Sequence, residues 1–170
     1  MNVSRGTIMK KYDVLIIGAG HAGVEAAIAS DRIGAKTALI SFKKSDLGVM
    51  SCNPAMGGLG KGHLIREIDA MGGVIGLASD HSGIQFRMLN RTRGEAVQGP
   101  RAQIDRDLYK ENIQRIVRNS GVELVEGEVR DIITERKSGN EIIIGVETSS
   151  VGKLYCKKLV VTTGTFLSGV

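Results

Sequence analysis

Residues 12–40 read as strand, glycine loop, helix and strand, and this order constrains the fold more than any other feature. Tyr12 to Ile17 is a near-continuous apolar run, the pattern of a strand buried on both faces. It ends at Gly18-Ala19-Gly20-His21-Ala22-Gly23, a match to G-x-G-x-x-G. The match gains meaning from its place after a strand and before a helix. Ala22 to Ile33 carries the small and apolar residues of a helix lying on a sheet, and Gly34 stops it. Ala35 to Ile40 is the second strand, completing a βαβ unit. Gly18 permits the tight turn, Gly20 lets the backbone approach a pyrophosphate, and Gly23 lets helix and strand pack closely. Free N–H groups at the helix start favour an anion there. The acidic residue that usually follows about 20 positions on, to bind a ribose hydroxyl, is replaced by Ser41, with Asp46 further along. An ordinary glycine-rich turn is the competing reading, and Glu25 reads as a surface or helix-start charge.

The rest of the chain extends the α/β pattern. Asp46 to Gly60 reads as a loop, Lys61 to Met71 as a helix, and residues 74–100 give no clear element. Arg101 to Asn119 is the clearest helix, with Ile104, Leu108, Ile113, Ile116 and Val117 along one face. Strands follow at Glu123–Val125, Val129–Glu135, Glu141–Glu147, Lys153–Cys156 and Leu159–Thr163, with a hairpin turn at Ser138-Gly139-Asn140. The 170 residues amount to one domain, or one and a fragment. The division expected is an amino-terminal extension over 1–11, including the start of the first strand, and a binding domain over 12–170. Met9 is a candidate native start.

Charge and chemistry narrow the function. A net charge of +5 permits a polyanionic partner, while 4% aromatics argues against a base-stacking platform. Residues 86–106 hold Arg87, Arg91, Arg93, Arg101 and Arg106 against Glu95 and Asp105, a face for phosphates or simply a solvated one. No apolar run is long enough to cross a bilayer, and no signal peptide opens the chain. Cys52 and Cys156 read as cytosolic thiols. Scattered His and Cys residues give no metal-ligand spacing.

Ser51-Cys52-Asn53-Pro54-Ala55-Met56-Gly57-Gly58-Leu59-Gly60-Lys61-Gly62-His63-Leu64 is the most specific stretch. A thiol attacks as thiolate and needs nearby positive charge, which Lys61 and His63 supply if the loop folds back. The glycines allow close approach to a flat ring. A buried, inert cysteine is the alternative. His63 is either a helix-start contact to a ligand or exposed, and Cys156 reads as packing.

That stretch, Gly18 to Gly23, Gly83-Ile84-Gln85-Phe86-Arg87-Met88-Leu89-Asn90 and Arg101-Ala102-Gln103-Ile104-Asp105-Arg106 together closely resemble the MnmG family, also called GidA. The resemblance runs from about Tyr12 to the chain end. That family adds a carboxymethylaminomethyl group to C5 of the wobble uridine of certain tRNAs. The resemblance implies a Rossmann-like FAD-binding domain of the two-dinucleotide-binding flavoprotein type, with a parallel sheet and β-meander. It implies Cys52 as catalytic residue, with Gly18, Ala19, Gly20, His21, Ala22 and Gly23 on the FAD pyrophosphate and Val129 carrying the adenine on its backbone. It further implies NADH, a methylenetetrahydrofolate donor, a tRNA substrate, the GTPase partner MnmE and a homodimer. Family members are several times longer, so the chain is expected to be an amino-terminal portion with an incomplete FAD domain. A truncated remnant that binds FAD weakly or not at all, and a small-molecule FAD oxidoreductase, are the alternatives. Bacterial cytoplasm is the expected location, with a mitochondrial one open.

Overall fold

The structure is a computed structural model that describes residues 10–51 and 53–164. Strand β1 (Lys11–Ile17) leads through the glycine loop into helix α1 (His21–Arg32) and strand β2 (Thr37–Ser41). A long excursion follows, with strand β3 (Ala55–Gly57), helices α2 (Lys61–Ala70) and α3 (Ile75–Ser82), and strands β4 (Gly83–Leu89) and β5 (Gly99–Ile104). Helix α4 (Arg106–Arg118) returns the chain to β6 (Glu123–Glu126), and β7 (Val129–Lys137), β8 (Asn140–Thr148) and β9 (Gly152–Val161) complete it.

The main sheet has the order β6-β2-β1-β9-β8-β7. Its first four strands are parallel, and β9, β8 and β7 pair antiparallel as a meander. This is the Rossmann-like α/β fold with a β-meander. Strand β1 runs between β2 and β9, so its carboxyl end is a topological switch point, where open α/β sheets bind ligands. A second sheet, β3-β5-β4, is antiparallel.

Alternation along the parallel strands feeds two cores. Ile16 and Leu39 face one side, where Val24, Ala27 and Ile28 of α1 and Tyr109, Ile113 and Val117 of α4 cover them. Leu15, Ala38, Ile40 and Val125 face the other, against Val146 and Leu154 of the meander. Both faces are therefore dry, which is why β2 is buried at every position. Each fully buried Leu or Ile contributes roughly 1.5–3 kcal/mol of apolar transfer.

Several expectations change. Arg101 to Ile104 is strand, not the start of the long helix, because these residues pair with β3 and β4. Asp105 then caps α4, its carboxylate accepting the Asp107 and Leu108 N–H groups at 3.0 Å. The buried face of α4 is Tyr109, Ile113 and Val117, while Leu108 is exposed. The expected loop over 46–60 holds β3, and the two final expected strands are one long β9. Cys156 lies in β9 opposite Tyr12, half-buried, and burial pushes its thiol pKa up, as packing requires.

Glu25 has a role that its sequence position conceals. Its carboxylate Oε1 accepts the backbone N–H of Val74 at 2.8 Å and of Ile75 at 2.7 Å. One α1 side chain thus places negative charge at the amino end of α3 and ties the two helices together. Replacing Glu25 by Ala leaves both amides without this acceptor. Urea unfolding of Glu25→Ala is expected to show a loss of about 2 kcal/mol, with Glu25→Gln intermediate.

Candidate functional site

The glycine loop is built by steric exclusion. Gly18 has φ +101°, a conformation that L side chains rarely adopt, and a Cβ there would overlap the carbonyl oxygen of Thr162. A Cβ on Gly23 would overlap the Gly18 carbonyl oxygen and stand 2.8 Å from Thr162 Oγ1. Between them, a Cβ on Gly20 would meet no protein atom within 4 Å. Two of the three glycines therefore serve close packing inside the protein. Gly20 opens onto free space at the start of α1, where a ligand can approach.

Thr162 locks this arrangement. Its N–H donates to Ile17 O at 2.8 Å, and its hydroxyl is directed at Ile17 O (2.8 Å) and Gly18 O (3.0 Å). Gly18 N–H donates to Ile40 O at 2.9 Å, which secures the loop to β2 on its other side. Helix α1 begins at Gly20 with no side-chain cap and no acidic residue in its first turn. Its first N–H groups thus keep the positive end of the helix dipole available to an anion.

His21 contributes more than its backbone. Its Nδ1 shares a hydrogen bond with the hydroxyl of fully buried Tyr109 at 3.2 Å, and the two rings meet edge to face at 5.7 Å. Burial, with the Lys61 ammonium nearby, holds the imidazole pKa below its usual value. Burial and the Glu25 carboxylate push the Tyr109 phenol up, so it stays protonated. A cleft of about 350 Å³ opens beside these groups, with His21, Ala22 and Glu25 on one wall and Lys61, Leu64 and Ile68 on the other. The Lys61 ammonium also donates to Ala55 O at 3.2 Å.

Cys52 lies outside the described residues. In the segment that follows, Gly57 serves the protein's own packing, since a Cβ there would overlap the Pro100 carbonyl oxygen, whereas a Cβ on Gly60 would meet no protein atom within 4 Å. His63 is exposed, and its Nδ1 accepts the Gly60 N–H at 3.2 Å at the start of α2. Val129 opens β7, paired with Thr148 and packed on the meander core. Ser41 is buried at the end of β2, and its carbonyl accepts the Gly127 N–H at 2.8 Å. The carboxylate beside that strand end is Glu126 of β6, which accepts the Lys44 N–H at 2.9 Å. Among the described residues, no group of His, Cys, Asp and Glu could hold a metal ion, and no helix is long and apolar enough to cross a membrane.

Comparison with known proteins decides the family. The model of the family described as glucose inhibited division protein A matches residues 13–170. The chain belongs to the GidA family. It is 49% identical to the tRNA uridine 5-carboxymethylaminomethyl modification enzyme MnmG of Aliarcobacter butzleri, over 94% of this chain and 25% of that protein. It is 48% identical to MnmG of Granulibacter bethesdensis, over the whole of this chain and 27% of that protein. Among solved structures, Aquifex aeolicus GidA in its form I crystal superposes with a TM-score of 0.85 at 48% identity, covering 93% of this chain and 26% of that one. The chain thus spans about a quarter of the length of these relatives.

Within this GidA chain, sequence reading missed Thr162, Tyr109 and the pairing of Glu25. Only Thr162 carried a signal, as the end of the last strand. The desolvated His21 generates a pH dependence with a definite sign. The unfolded chain takes up a proton near pH 6.5, whereas the folded chain does so only at lower pH. The unfolded state then binds more protons, so the His21 contribution is complete above about 6.5 and is lost as pH falls through the folded value. Carboxylates held down by partners, Asp13 by Lys157 and Glu123 by Lys10, add acid sensitivity at lower pH. Denaturant titrations from pH 7.5 to 5 are expected to show stability falling with pH in the native chain, and a flatter profile in His21→Gln.

Proposed function

We propose that this chain is the FAD-binding portion of a tRNA-modifying enzyme that adds a carboxymethylaminomethyl group to C5 of the wobble uridine. The observation that carries the reading is the glycine loop: Gly18 and Gly23 are closed by packing, while Gly20 opens onto space at an uncapped helix start. A pyrophosphate fits that arrangement, because it needs close backbone approach, unpaired N–H groups and positive dipole charge together. The names of the curated relatives supply the reaction and the tRNA substrate.

In this reading Gly18, Ala19, Gly20, His21, Ala22 and Gly23 hold the pyrophosphate, and the Val129 backbone holds the adenine. Flavin, when bound, supplies the redox chemistry. Cys52 is the proposed nucleophile or acid/base. The His21–Tyr109 hydrogen bond keeps the imidazole oriented beside the pyrophosphate, and the Lys61 ammonium adds positive charge on the facing wall. NADH as reductant, methylenetetrahydrofolate as one-carbon donor, the GTPase MnmE as partner, a homodimeric assembly and a bacterial cytoplasmic location belong to the same proposal. The proposed binding domain runs over 12–170, after the extension at 1–11.

Substitution at Gly20 tests the reading without disturbing the fold, since its added methyl meets no protein atom. Gly20→Ala is expected to keep its Tm within about 2 °C and to bind FAD at least tenfold more weakly by flavin fluorescence titration. Gly23→Ala is expected to lose several kcal/mol of stability, because its methyl meets backbone that cannot move away cheaply. A native chain that takes up no FAD on reconstitution sinks the binding claim.

A further inference from the structure

Tyr109 decides where the proton of His21 sits. The phenol has no exposed surface, and its hydroxyl has one hydrogen-bond partner among the described residues, His21 Nδ1 at 3.2 Å. A phenol oxygen carries a single proton, and an imidazole nitrogen either donates or accepts. A hydrogen on Nδ1 would occupy the contact and leave the phenol proton inside the core without an acceptor. The hydroxyl therefore donates, and Nδ1 accepts through its lone pair. In a neutral ring the hydrogen then sits on Nε2. Several features keep the ring neutral. His21 is the first residue of α1, where the positive end of the helix dipole opposes a further positive charge. The Lys61 ammonium on α2 acts in the same direction, together with burial. A second proton, on Nδ1, would also displace the one that Tyr109 donates.

The Nε2 edge points outward. No buried side-chain nitrogen or oxygen among the described residues lacks a hydrogen-bond partner. Nε2 has no partner among those residues, so it reaches accessible surface, and His21 lines the cleft beside the helix start. Leu64, Ile65, Ile68 and Ile75 make most of that cleft apolar, and Lys61 stands on its facing wall. Glu25, on α1 itself, is the one carboxylate on the wall among the described residues. Its Oε1 already accepts the Val74 and Ile75 amides. The His21 N–H and the Lys61 ammonium are thus donors facing one space, and an anion suits both.

We infer that Tyr109 is a positioning residue for the cofactor: its hydroxyl fixes His21 as the Nε2–H tautomer, and that N–H donates to a phosphate oxygen of the dinucleotide. The inference rests on the FAD reading of the glycine loop and adds a side-chain donor to its backbone ones. Binding through a neutral donor takes up no proton, so affinity does not depend on the charge of the ring. Without the phenol hydroxyl, Nδ1 is able to take a proton, and the imidazolium pairs with the phosphate. The ring then holds its proton more tightly in the complex than in the chain alone, so binding strengthens as pH falls.

Imidazole nitrogen NMR spectra of the 170-residue chain, with His21 assigned by the loss of its signals in His21→Gln, test the tautomer without cofactor. At pH 7.5 the native chain is expected to show a protonated Nε2 and a bare Nδ1, and Tyr109→Phe a mixture of the two tautomers. A protonated Nδ1 in the native chain overturns the inference. FAD titrations followed by flavin fluorescence test the contact. His21→Asn, whose amide reaches only the Nδ1 position, is expected to bind at least about tenfold more weakly than the native chain. His21→Gln, whose amide reaches the Nε2 position, is expected to bind at least about threefold more tightly than His21→Asn. Native affinity is expected to change less than about twofold between pH 8 and 6.5, whereas Tyr109→Phe, weaker than native at pH 8, is expected to tighten at least about threefold over that interval. The two His21 variants carry the test if Tyr109→Phe does not fold. Native affinity in both of them, or a Tyr109→Phe profile parallel to the native one, overturns the donor role and leaves flavin binding standing. A native chain that shows the stated tautomer and takes no FAD refutes the flavin reading, and the phosphate contact falls with it.

Discussion

Three backbone segments converge at Gly18, and the absence of side chains there is what the binding region depends on. The end of β1, the first turn of α1 and the end of β9 meet closely enough that a methyl on Gly18 or Gly23 would overlap a carbonyl oxygen. Thr162 fills the remaining gap with its hydroxyl and amide. Because this junction is closed from within, the one open direction is outward from Gly20. The same packing therefore supports the sheet and points the helix start at a ligand. Nothing softer than backbone contact would hold those N–H groups in place before a ligand arrives.

The helices behind the junction depend on it in turn. Glu25 is one turn into α1 and sets the start of α3, while Tyr109 of α4 meets His21 at the loop itself. A displacement of α1 reaches both neighbours through hydrogen bonds as well as packing. Fully buried Tyr109 and partly buried Glu25 satisfy their polar atoms at this one place, which makes the arrangement specific as well as stable.

Elements governed by local pattern were legible in the sequence. The βαβ unit was readable because apolar runs, glycine spacing and helix composition all pointed the same way. Residues governed by distant partners were not. Arg101 to Ile104 lies beside a strong amphipathic helix, and only the pairing with β3 and β4 makes it strand. Leu108 and Tyr109 are adjacent, and no local signal says that the tyrosine is the buried one. At the site, the three glycines were readable as one loop, but their division into two packing positions and one open position needed the position of Thr162. Glu25 looked like a surface charge because its acceptors' partners, the amides of Val74 and Ile75, lie some 50 residues away.

The clamp at Thr162 has a consequence for how the molecule comes into being. Its contact with Gly18 spans 144 positions of chain. Strand β1, α1 and β2 are adjacent in sequence and can associate early, but β9 emerges last of the described strands. At translation rates of about 5–20 residues per second, roughly 7–30 s separate the synthesis of Gly18 from that of Thr162. During that interval the β1 edge that β9 will occupy is unpaired, and such edges invite association with other chains. The feature most local in sequence, six residues of glycine loop, is thus completed by the least local contact, so acquisition of the ligand-ready shape is a late folding event.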